Sequence, residues 1–154
     1  TDPNMREVLN AKIKHREAFR PFAPAVLEER AAEYFKISQS DPFMTLAPKV
    51  RRSKRSEIPA AVHFDGTGRF QTVSRATNRR YYDLIAEFGR LTGVPVLLNT
   101  SFNRQEPIVS RPSEAVSCYL RTGMDGLAIG DRYVTDRNSK SRAWAERTFV
   151  QGPI

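Results

Sequence analysis

Cysteine and histidine are scarce in this chain of 154 residues, which has one cysteine and two histidines. A single cysteine, Cys118, excludes an internal disulfide and a zinc site built from several cysteines. His15 and His63 lie too far apart in the sequence to show a local metal-ligand spacing. We therefore expect no metal site in this chain, and we expect Cys118 to be a small buried group on a helix.

Long apolar runs and the common nucleotide fingerprints are also missing. No run approaches the roughly 18 apolar residues of a membrane-spanning helix, and the N-terminus lacks the basic-then-apolar layout of a signal peptide. These absences predict a soluble, cytoplasmic protein. The patterns G-x-x-x-x-G-K-S/T and G-x-G-x-x-G do not occur, so a nucleotide site here must be of another kind. The sequence shows no Ser/His/Asp or Cys/His arrangement either.

Positive charge is abundant. The chain has 25 Lys and Arg against 17 Asp and Glu, which gives a net charge of +8 and an isoelectric point of about 10.1. This balance favours an anionic partner: nucleic acid, a membrane surface or a phosphorylated small molecule. Charge alone does not choose among them. The length and a hydrophobic content of 40% predict a single globular domain over 1–154.

Helical spacing, caps and breakers predict four helices. They run from about Met5 to Lys14, near Glu28–Tyr34, between Asn78 and Gly93, and between Pro112 and Gly123. The first is expected to be capped by Asn4. The second follows the segment RPFAPAVL, which should be extended because its prolines forbid a helix interior.

Apolar stretches predict the strands PFMTLAPKV, IPAAVHF, VPVLLN, GLAIG and RYVT, with VPVLLN central because it is almost wholly apolar. FDGTGRFQTV predicts a hairpin or tight turn. The basic run RRSKRSE is interpreted as a mobile, solvated loop in preference to a specific anion site. Together the elements predict an α/β or α+β fold, a twisted, mixed open sheet with packed helices. The tail 136–154 is polar and unassigned.

The stretch VLLNTSFN runs from apolar residues directly into short hydrogen-bonding side chains. Ligands collect outside the carboxyl ends of strands in such folds, and Asn99, Thr100, Ser101 and Asn103 offer amides and hydroxyls there. Phe102 is expected to point into packing or against a flat ring. A turn that satisfies its own backbone through Asn and Ser side chains explains the same pattern. Both interpretations stay open at this point.

Lys14, Arg16 and Arg20 form a second candidate cluster within the segment KHREAFR. Three cations this close repel one another unless they are solvated or hold an anion, and the planar fork of arginine suits phosphate. If the helix continued through the segment, Arg16 and Arg20 would share one face. Arg69, just after the predicted turn, would be a further cation of this cluster if the turn brings it over the same crevice of the fold. A solvated basic face is the commoner explanation of such spacing.

Five longer motifs carry a family resemblance: KIKHREAFRPFAPAVLEE, HFDGTGRFQTV, TGVPVLLNTSFN, EPIVSRPSEA and GLAIGD. In this order and spacing they resemble the C-terminal domain of the O-carbamoyltransferases that act on antibiotics and on rhizobial nodulation factors. The resemblance covers roughly residues 3–135 and implies a YrdC/Sua5-like fold. It also implies a larger N-terminal Kae1-like domain in the full enzyme, so the chain is expected to be a C-terminal fragment.

The resemblance further implies the chemistry. The YrdC-like domain would use ATP, with Mg²⁺, and carbamoyl phosphate to make carbamoyl-adenylate. The Kae1-like domain, which would also hold the family's metal, would pass the carbamoyl group to a hydroxyl of a sugar-containing acceptor. The isolated domain is therefore expected to be unable to complete the transfer. Fixed cations and amide donors can stabilise charge on the α-phosphate without a nucleophilic side chain, which agrees with the missing triad.

Motif by motif, the family's K-x-R element falls on Lys14 and Arg16, and its S-x-N element falls on Ser101 and Asn103. The resemblance implies catalytic roles for Lys14, Arg16 and Arg69, and substrate or nucleotide binding by Arg20, His63, Asp65, Thr67, Asn99, Ser101 and Asn103. One departure is visible, because Gln105 stands where we expect glycine before EPIV. The loop there is expected to differ or to be a variant turn.

An RNA-binding YrdC-like module is the main rival from another class. Such a module needs a continuous basic surface interleaved with exposed aromatic residues. Here most aromatic residues fall on apolar helical or strand faces. We therefore disfavour nucleic acid as the partner, and we expect no membrane partner.

Overall fold

The structure is a computed structural model that describes residues 1–15, 17 and 19–135. Arg16 and the tail 136–154, both named in the sequence-based predictions, lie outside the described residues. The chain forms two compact units. The first unit comprises Thr1–Arg6 and Phe19–Thr100, and the second comprises Glu7–Ala18 and Ser101–Ile154.

A three-stranded mixed sheet organises the first unit. Its strands are β1 (Ala23–Leu27), β2 (Gln71–Val73) and β3 (Val96–Asn99), in the order β2-β1-β3. Strand β1 pairs parallel to β2 and antiparallel to β3. The predicted mixed sheet is confirmed.

The central strand is β1, and the prediction that VPVLLN is central is wrong. Val26 of β1 lies opposite Thr72 on one side and Val96 on the other, and all five residues of β1 are buried. Strand β3 has only β1 beside it in this sheet, and three of its four residues are only partly buried. An apolar sequence therefore does not by itself mark the middle of the sheet here.

Helices pack on the sheet as predicted. The longest, α3 (Arg79–Thr92), begins where the Asn78 side chain accepts from the Tyr81 backbone N–H at 3.3 Å. It ends at Gly93, whose φ of 79° suits a residue without a side chain. Its inward residue Ile85 is fully buried and packs with residues of β1 and β2. The short helix α2 (Ala31–Tyr34) follows a 3₁₀ turn after β1, as expected.

Two predicted strands are not strands. In PFMTLAPKV, the Asp41 carboxylate accepts from the backbone N–H groups of Thr45 at 3.0 Å and Leu46 at 2.7 Å, and Met44 has a left-handed φ of 57°. These local side-chain hydrogen bonds replace the backbone hydrogen bonds that a strand would form with a neighbouring strand. The bonds hold the segment in turns, and only Lys49 and Val50 at its end form isolated bridges.

IPAAVHF is the second predicted segment that does not form a strand. Pro59–Ala61 form a 3₁₀ helix because proline suits a first helical turn and donates no ladder bond. The tight turn predicted after it is confirmed. His63 N–H donates to Thr67 O at 2.8 Å and Gly66 N–H donates to His63 O at 2.9 Å, with φ of Gly66 at 78°. The strand that follows is parallel to β1.

The basic run RRSKRSE is anchored by hydrogen bonds and largely exposed, so the predicted solvated loop is confirmed and its mobility stays a prediction. Arg52–Lys54 form a 3₁₀ turn, and the Arg51 guanidinium donates to the carbonyl of Ala32 at 2.7 Å. The Lys54 ammonium pairs with Glu57 at 2.7 Å. Several of the positive charges of this run are therefore used to hold the first unit together.

The predicted helix 5–14 changes type along its length. It is α-helical over α1 (Met5–Leu9) and π-helical over Asn10–Lys14, and His15 ends it in a left-handed conformation with φ of 48°. A π-helical segment is rare and often accompanies a functional site. Here both its first and its last residue are buried.

The remaining elements of the second unit follow the predictions. Helix α4 (Pro112–Arg121) precedes a hairpin of β4 (Leu127–Ile129) and β5 (Arg132–Val134). Cys118 is fully buried on α4, as expected, and Tyr119 packs with residues of β4. Among the described residues, no helix has both the length and the apolar character needed to cross a membrane.

Candidate functional site

Lys14 lies at the centre of the first polar cluster, which we call the lysine cluster and define as Lys14, Ser101 and Asn103. Its ammonium nitrogen is 2.6 Å from Ser101 O, 3.2 Å from Ser101 Oγ, and 2.8 Å from both Asn103 O and Asn103 Oδ1. Lys14 is only 4% exposed. An ammonium has three protons, so the three nearest oxygens use all of them. Lys14 thus contacts Ser101 and Asn103, which follow it by more than 80 residues, as expected if the K-x-R and S-x-N elements belong to one site.

The loop after β3 is ordered around Asn103. Ser101 Oγ donates to Asn103 Oδ1 at 2.7 Å, and Asn103 Nδ2 donates to Glu106 O at 2.6 Å. These two bonds fix which face of the Asn103 amide meets Lys14. Phe102 packs against the cluster of α4 and β4, so it serves packing. The interpretation as a turn satisfied by its own Asn and Ser side chains is confirmed, and the interpretation as a ligand pocket stays a prediction.

Glu106 ties this loop to α4. Arg121 approaches its carboxylate at 3.2 Å, and the Gln105 backbone N–H donates to it at 3.0 Å. Burial opposes ionisation of Glu106, but backbone N–H groups, the Cys118 thiol and Arg121 outweigh it and lower its pKa to about 2. Burial, helped by the bond to Glu106, raises the pKa of Cys118 to about 11. Cys118 is therefore an inert thiol at neutral pH.

A second group of predicted residues lies in the first unit, beside an open cavity of about 670 Å³. We call it the histidine cavity; the lining residues that matter below are Arg6, Phe19, His63, Phe64, Asp65 and Thr67. Thr67 Oγ1 donates to Asp65 Oδ1 at 2.7 Å and lies 3.0 Å from His63 Nδ1. The three predicted residues thus form one hydrogen-bonded chain.

The charges of this chain are set by its surroundings. Burial lowers the pKa of His63; Asp65 opposes this, and the cations Arg69 and Arg6 reinforce it. Hydrogen bonds from the Thr67 hydroxyl and backbone lower the pKa of Asp65. At neutral pH the histidine is therefore uncharged and the aspartate ionised.

The other predicted residues are placed as follows. Asn99 Nδ2 donates to the side chain of Gln71, inside the first unit. Arg69 and Arg20 are exposed, and Arg69 acts on His63 through its charge. Arg16 lies outside the described residues, so its role stays a prediction.

Sequence reasoning missed Glu106 and Arg6 as members of these two groups. Glu106 stands in the quoted motif EPIV, directly after the unexpected Gln105, and that position was the available hint. Arg6 sits on α1 with no local pattern that sets it apart from other exposed arginines. Only the fold brings it to the histidine cavity.

The lysine cluster fits an anionic ligand better than a metal, because the charge of Lys14 is positive. Its ammonium and hydroxyl protons are used within the cluster, and the second Nδ2 proton of Asn103 can donate to a phosphate oxygen. Across residues 1–15, 17 and 19–135 no three His, Cys, Asp or Glu residues form a group that could hold a metal ion. The Mg²⁺ that the resemblance implies would be held chiefly by the phosphates of ATP.

The fold and the lysine cluster define a mixed α/β domain with a buried cation held at the end of a strand. The chain belongs to the carbamoyltransferase C-terminus family, whose model matches residues 1–136. This bears out the resemblance of the five motifs.

Similar proteins from rhizobia support the assignment to this family. The chain is 46% identical over 152 residues to nodulation protein NolNO of Sinorhizobium fredii, which covers 96% of this chain and 22% of that protein. It is 44% identical over 144 residues to nodulation protein NolO of Bradyrhizobium diazoefficiens, a match that covers 91% of this chain and 26% of that protein. It is 43% identical over 103 residues to nodulation protein U of Rhizobium tropici, a match that covers 67% of this chain and 18% of that protein. The chain thus spans about a quarter or less of the length of these relatives.

Proposed function

We propose that this chain forms carbamoyl-adenylate from carbamoyl phosphate and ATP, as the C-terminal, YrdC-like part of an O-carbamoyltransferase. A Kae1-like N-terminal domain then transfers the carbamoyl group to a hydroxyl of a sugar-containing acceptor. The relatives named as nodulation proteins favour a nodulation factor over an antibiotic as that acceptor. The proposal requires a compartment that supplies ATP, as the cytoplasm does.

The observation that supports this function best is the contact of Lys14 with Ser101 and Asn103. Lys14 and Ser101 are 87 residues apart in sequence, and Lys14, Ser101 and Asn103 share one partly buried hydrogen-bond network. Lys14 keeps its position through loop oxygens, so it fixes the loop and places a positive charge beneath it. Ser101 orients the Asn103 amide through its hydroxyl, and the second Nδ2 proton of Asn103 can donate to a phosphate oxygen from a loop that is already ordered, which is the preorganisation that electrostatic catalysis needs.

The proposed conversion balances with one water consumed. Carbamoyl phosphate loses its phosphate to water and gives carbamate and orthophosphate. A carbamate oxygen then attacks the α-phosphorus of ATP, the bond to the β-phosphate oxygen breaks, and pyrophosphate leaves. The negative charge that develops around the α-phosphorus is what the cations Lys14 and Arg16 and the donors of the loop would stabilise.

Pyrophosphate release tests the proposal. The 154-residue chain, given ATP and Mg²⁺, is expected to release pyrophosphate only when carbamoyl phosphate is also present. Arg16→Ala would remove the phosphate contact that the resemblance implies for the K-x-R arginine and should slow this release by roughly 30- to 1000-fold. Ser101→Ala should slow it by at least about tenfold.

The matched controls are Arg52→Ala and Ser56→Ala, because both side chains are exposed in the anchored basic run. They should leave the rate unchanged. Release that does not depend on carbamoyl phosphate, or a full rate in Arg16→Ala and Ser101→Ala, would contradict the proposed function. Circular dichroism of each variant separates a lost site from a lost fold.

A further inference from the structure

The carboxylate of Glu106 accepts from more donors than a surface ion pair has. The Gln105 backbone N–H donates to Oε2 at 3.0 Å, and the Arg121 guanidinium donates to Oε1 at 3.2 Å. The backbone N–H of Glu106 itself and the Cys118 thiol also donate to this carboxylate. Donors on several sides leave a carboxylate little freedom to turn, so the side chain holds the Glu106 peptide in one orientation.

Helix α4 is the rigid base of this network. Arg121, in its last turn, also donates from Nε to Ser117 Oγ at 3.1 Å, one turn earlier. Ser117 and Cys118 are both buried. Arg121 and Cys118 therefore approach Glu106 from positions that the packing of α4 fixes, and groups on a packed helix are held more precisely than groups on a loop.

The backbone carbonyl of Glu106 connects this network to the lysine cluster. Asn103 Nδ2 donates one proton to Glu106 O at 2.6 Å. Asn103 Oδ1 accepts from Ser101 and from Lys14. The second Nδ2 proton can then donate to a ligand. Because the amide is planar, the bond to Glu106 O also sets the direction of that second proton.

We propose that Glu106 is a positioning residue, whose carboxylate fixes its own peptide so that the carbonyl of this peptide directs the Asn103 amide at a phosphate oxygen of the substrate. Glu106 itself does not touch the substrate. This inference rests on the proposed use of phosphorylated substrates and adds the residue that orients one of their donors. Without the fixed peptide, the amide must be ordered when the ligand binds, which weakens binding and slows reaction.

The side-chain amide of Asn103 reports its own position in ¹H–¹⁵N NMR spectra of the 154-residue chain, where its signals are identified by their loss in Asn103→Ala. The proton that donates to Glu106 O should resonate downfield of the second proton. Glu106→Gln puts a donor amide in place of one acceptor oxygen, so it cannot accept from all four groups. The downfield shift should shrink or disappear. The matched control is Glu87→Gln, a surface position on α3, which should preserve it.

Titration with inorganic phosphate tests the second Nδ2 proton. Phosphate should shift its signal in the parent chain. In Glu106→Gln the apparent Kd for phosphate should rise by about 2- to 10-fold, the usual effect of ordering one side chain on binding. Arg121→Met is a milder second variant, because Arg121 is 32% exposed and supplies only one of the four donors. It should change the same signals in the same direction and by less.

A double-variant cycle on pyrophosphate release separates positioning from a merely structural role. Asn103→Ala removes the amide through which Glu106 is proposed to act. Adding Glu106→Gln to Asn103→Ala should therefore slow release no further. A residue that only stabilises the fold would slow release by the same factor with and without Asn103.

The outcomes separate this inference from the proposed reaction. Asn103 signals that stay unchanged in both Glu106→Gln and Arg121→Met, a parent amide that phosphate does not shift, or equal effects in the two arms of the cycle would overturn the positioning role. Altered Asn103 signals together with weaker phosphate binding support it. If both are seen while the parent chain releases no pyrophosphate, the proposed reaction is at fault and the positioning role is not.

Discussion

Lys14 has exchanged its hydration for four protein oxygens, because a residue that is 4% exposed has almost no access to water. Burying an ammonium is costly unless hydrogen bonds replace its water shell. Ser101 and Asn103 supply those bonds from one loop. The lysine therefore determines the position of the loop as much as the loop determines the position of the lysine.

Lys14→Met should lower the free energy of unfolding by about 1 to 3 kcal/mol, because it leaves partly buried loop oxygens without their donor. Urea unfolding followed by circular dichroism measures this change. The control is Lys12→Met, because Lys12 is half exposed and pairs with the exposed Asp125. It should cost below about 1 kcal/mol. Equal losses in the two variants would mean that the lysine cluster does not hold the second unit.

Glu106 predicts a pH dependence of stability. Its folded pKa of about 2 is below the ordinary 4.5, so the folded state favours the carboxylate. The stabilisation is present above about pH 4.5 and is lost as the pH falls toward 2. The side chain is 31% exposed, and screening limits the effect to about 1 to 3 kcal/mol.

Glu106→Gln should flatten the stability profile in that pH window, measured by thermal unfolding at a series of pH values. Glu87→Gln is the control, because Glu87 forms a surface pair with Arg90 on α3. Its profile should follow the parent chain. A Glu106→Gln profile as steep as that of the parent would assign the acid sensitivity to other carboxylates.

At the scale of elements, the π-helical segment and the end of α4 are fitted closely. A Cβ added to Gly123 would lie 2.6 Å from Lys12 Cγ and 3.1 Å from Lys12 O. Gly123→Ala should therefore shift the π-helical segment and lower the melting temperature, at a cost of about 1 to 3 kcal/mol. Differential scanning calorimetry measures it.

The double variant Gly123→Ala, Lys12→Ala serves as the matched control, because it removes the side chain that the new methyl group meets. It should recover part of the lost stability, though the contact with the Lys12 carbonyl remains. No recovery would place the strain in the contact with the Lys12 carbonyl.

Helices whose ends are marked by capping or terminating residues could be predicted from the sequence. Asn78 and Gly93 bound α3 as expected, and Pro112 opens α4. The two false strands failed for another reason. The Asp41 carboxylate accepts from the backbone N–H groups of Thr45 and Leu46, and Pro59 begins a 3₁₀ helix. These local interactions prevent strand pairing although both segments are apolar. The central place of β1 depends on pairing between distant segments, which periodicity does not encode.

The candidate site was predictable where motifs were long. The S-x-N and K-x-R elements came from the resemblance, and geometry then joined Lys14 to Ser101 and Asn103. Arg6 was not predictable, because a single arginine on a short helix has no pattern of its own. Its link to the histidine cavity depends on tertiary structure alone.

At the scale of the whole molecule, the chain is expected to stop at the adenylate. In a mixture of ATP, carbamoyl phosphate and a lipochitooligosaccharide nodulation factor, the 154-residue chain should release pyrophosphate but should not carbamoylate the acceptor. Mass spectrometry of the acceptor checks this. The reason is that the chain spans only 22% of a relative such as NolNO of Sinorhizobium fredii, and the proposed transfer domain lies in the remainder.

The NolNO protein at full length is the positive control for that experiment. If the reaction assignment is right, it should carbamoylate an acceptor that the 154-residue chain leaves unchanged. Carbamoylated acceptor produced by the 154-residue chain alone would overturn the division of labour between two domains.

The second unit is built from two segments, Glu7–Ala18 and the chain from Ser101 onward. On the ribosome, Lys14 emerges 87 residues before Ser101, a delay of roughly 4 to 20 s at the usual rate of about 5 to 20 residues per second. During that interval its ammonium remains hydrated, and the N-terminal segment has no loop to bind. A pause in translation ahead of Ser101 would therefore lengthen the exposure of this segment to proteases and chaperones.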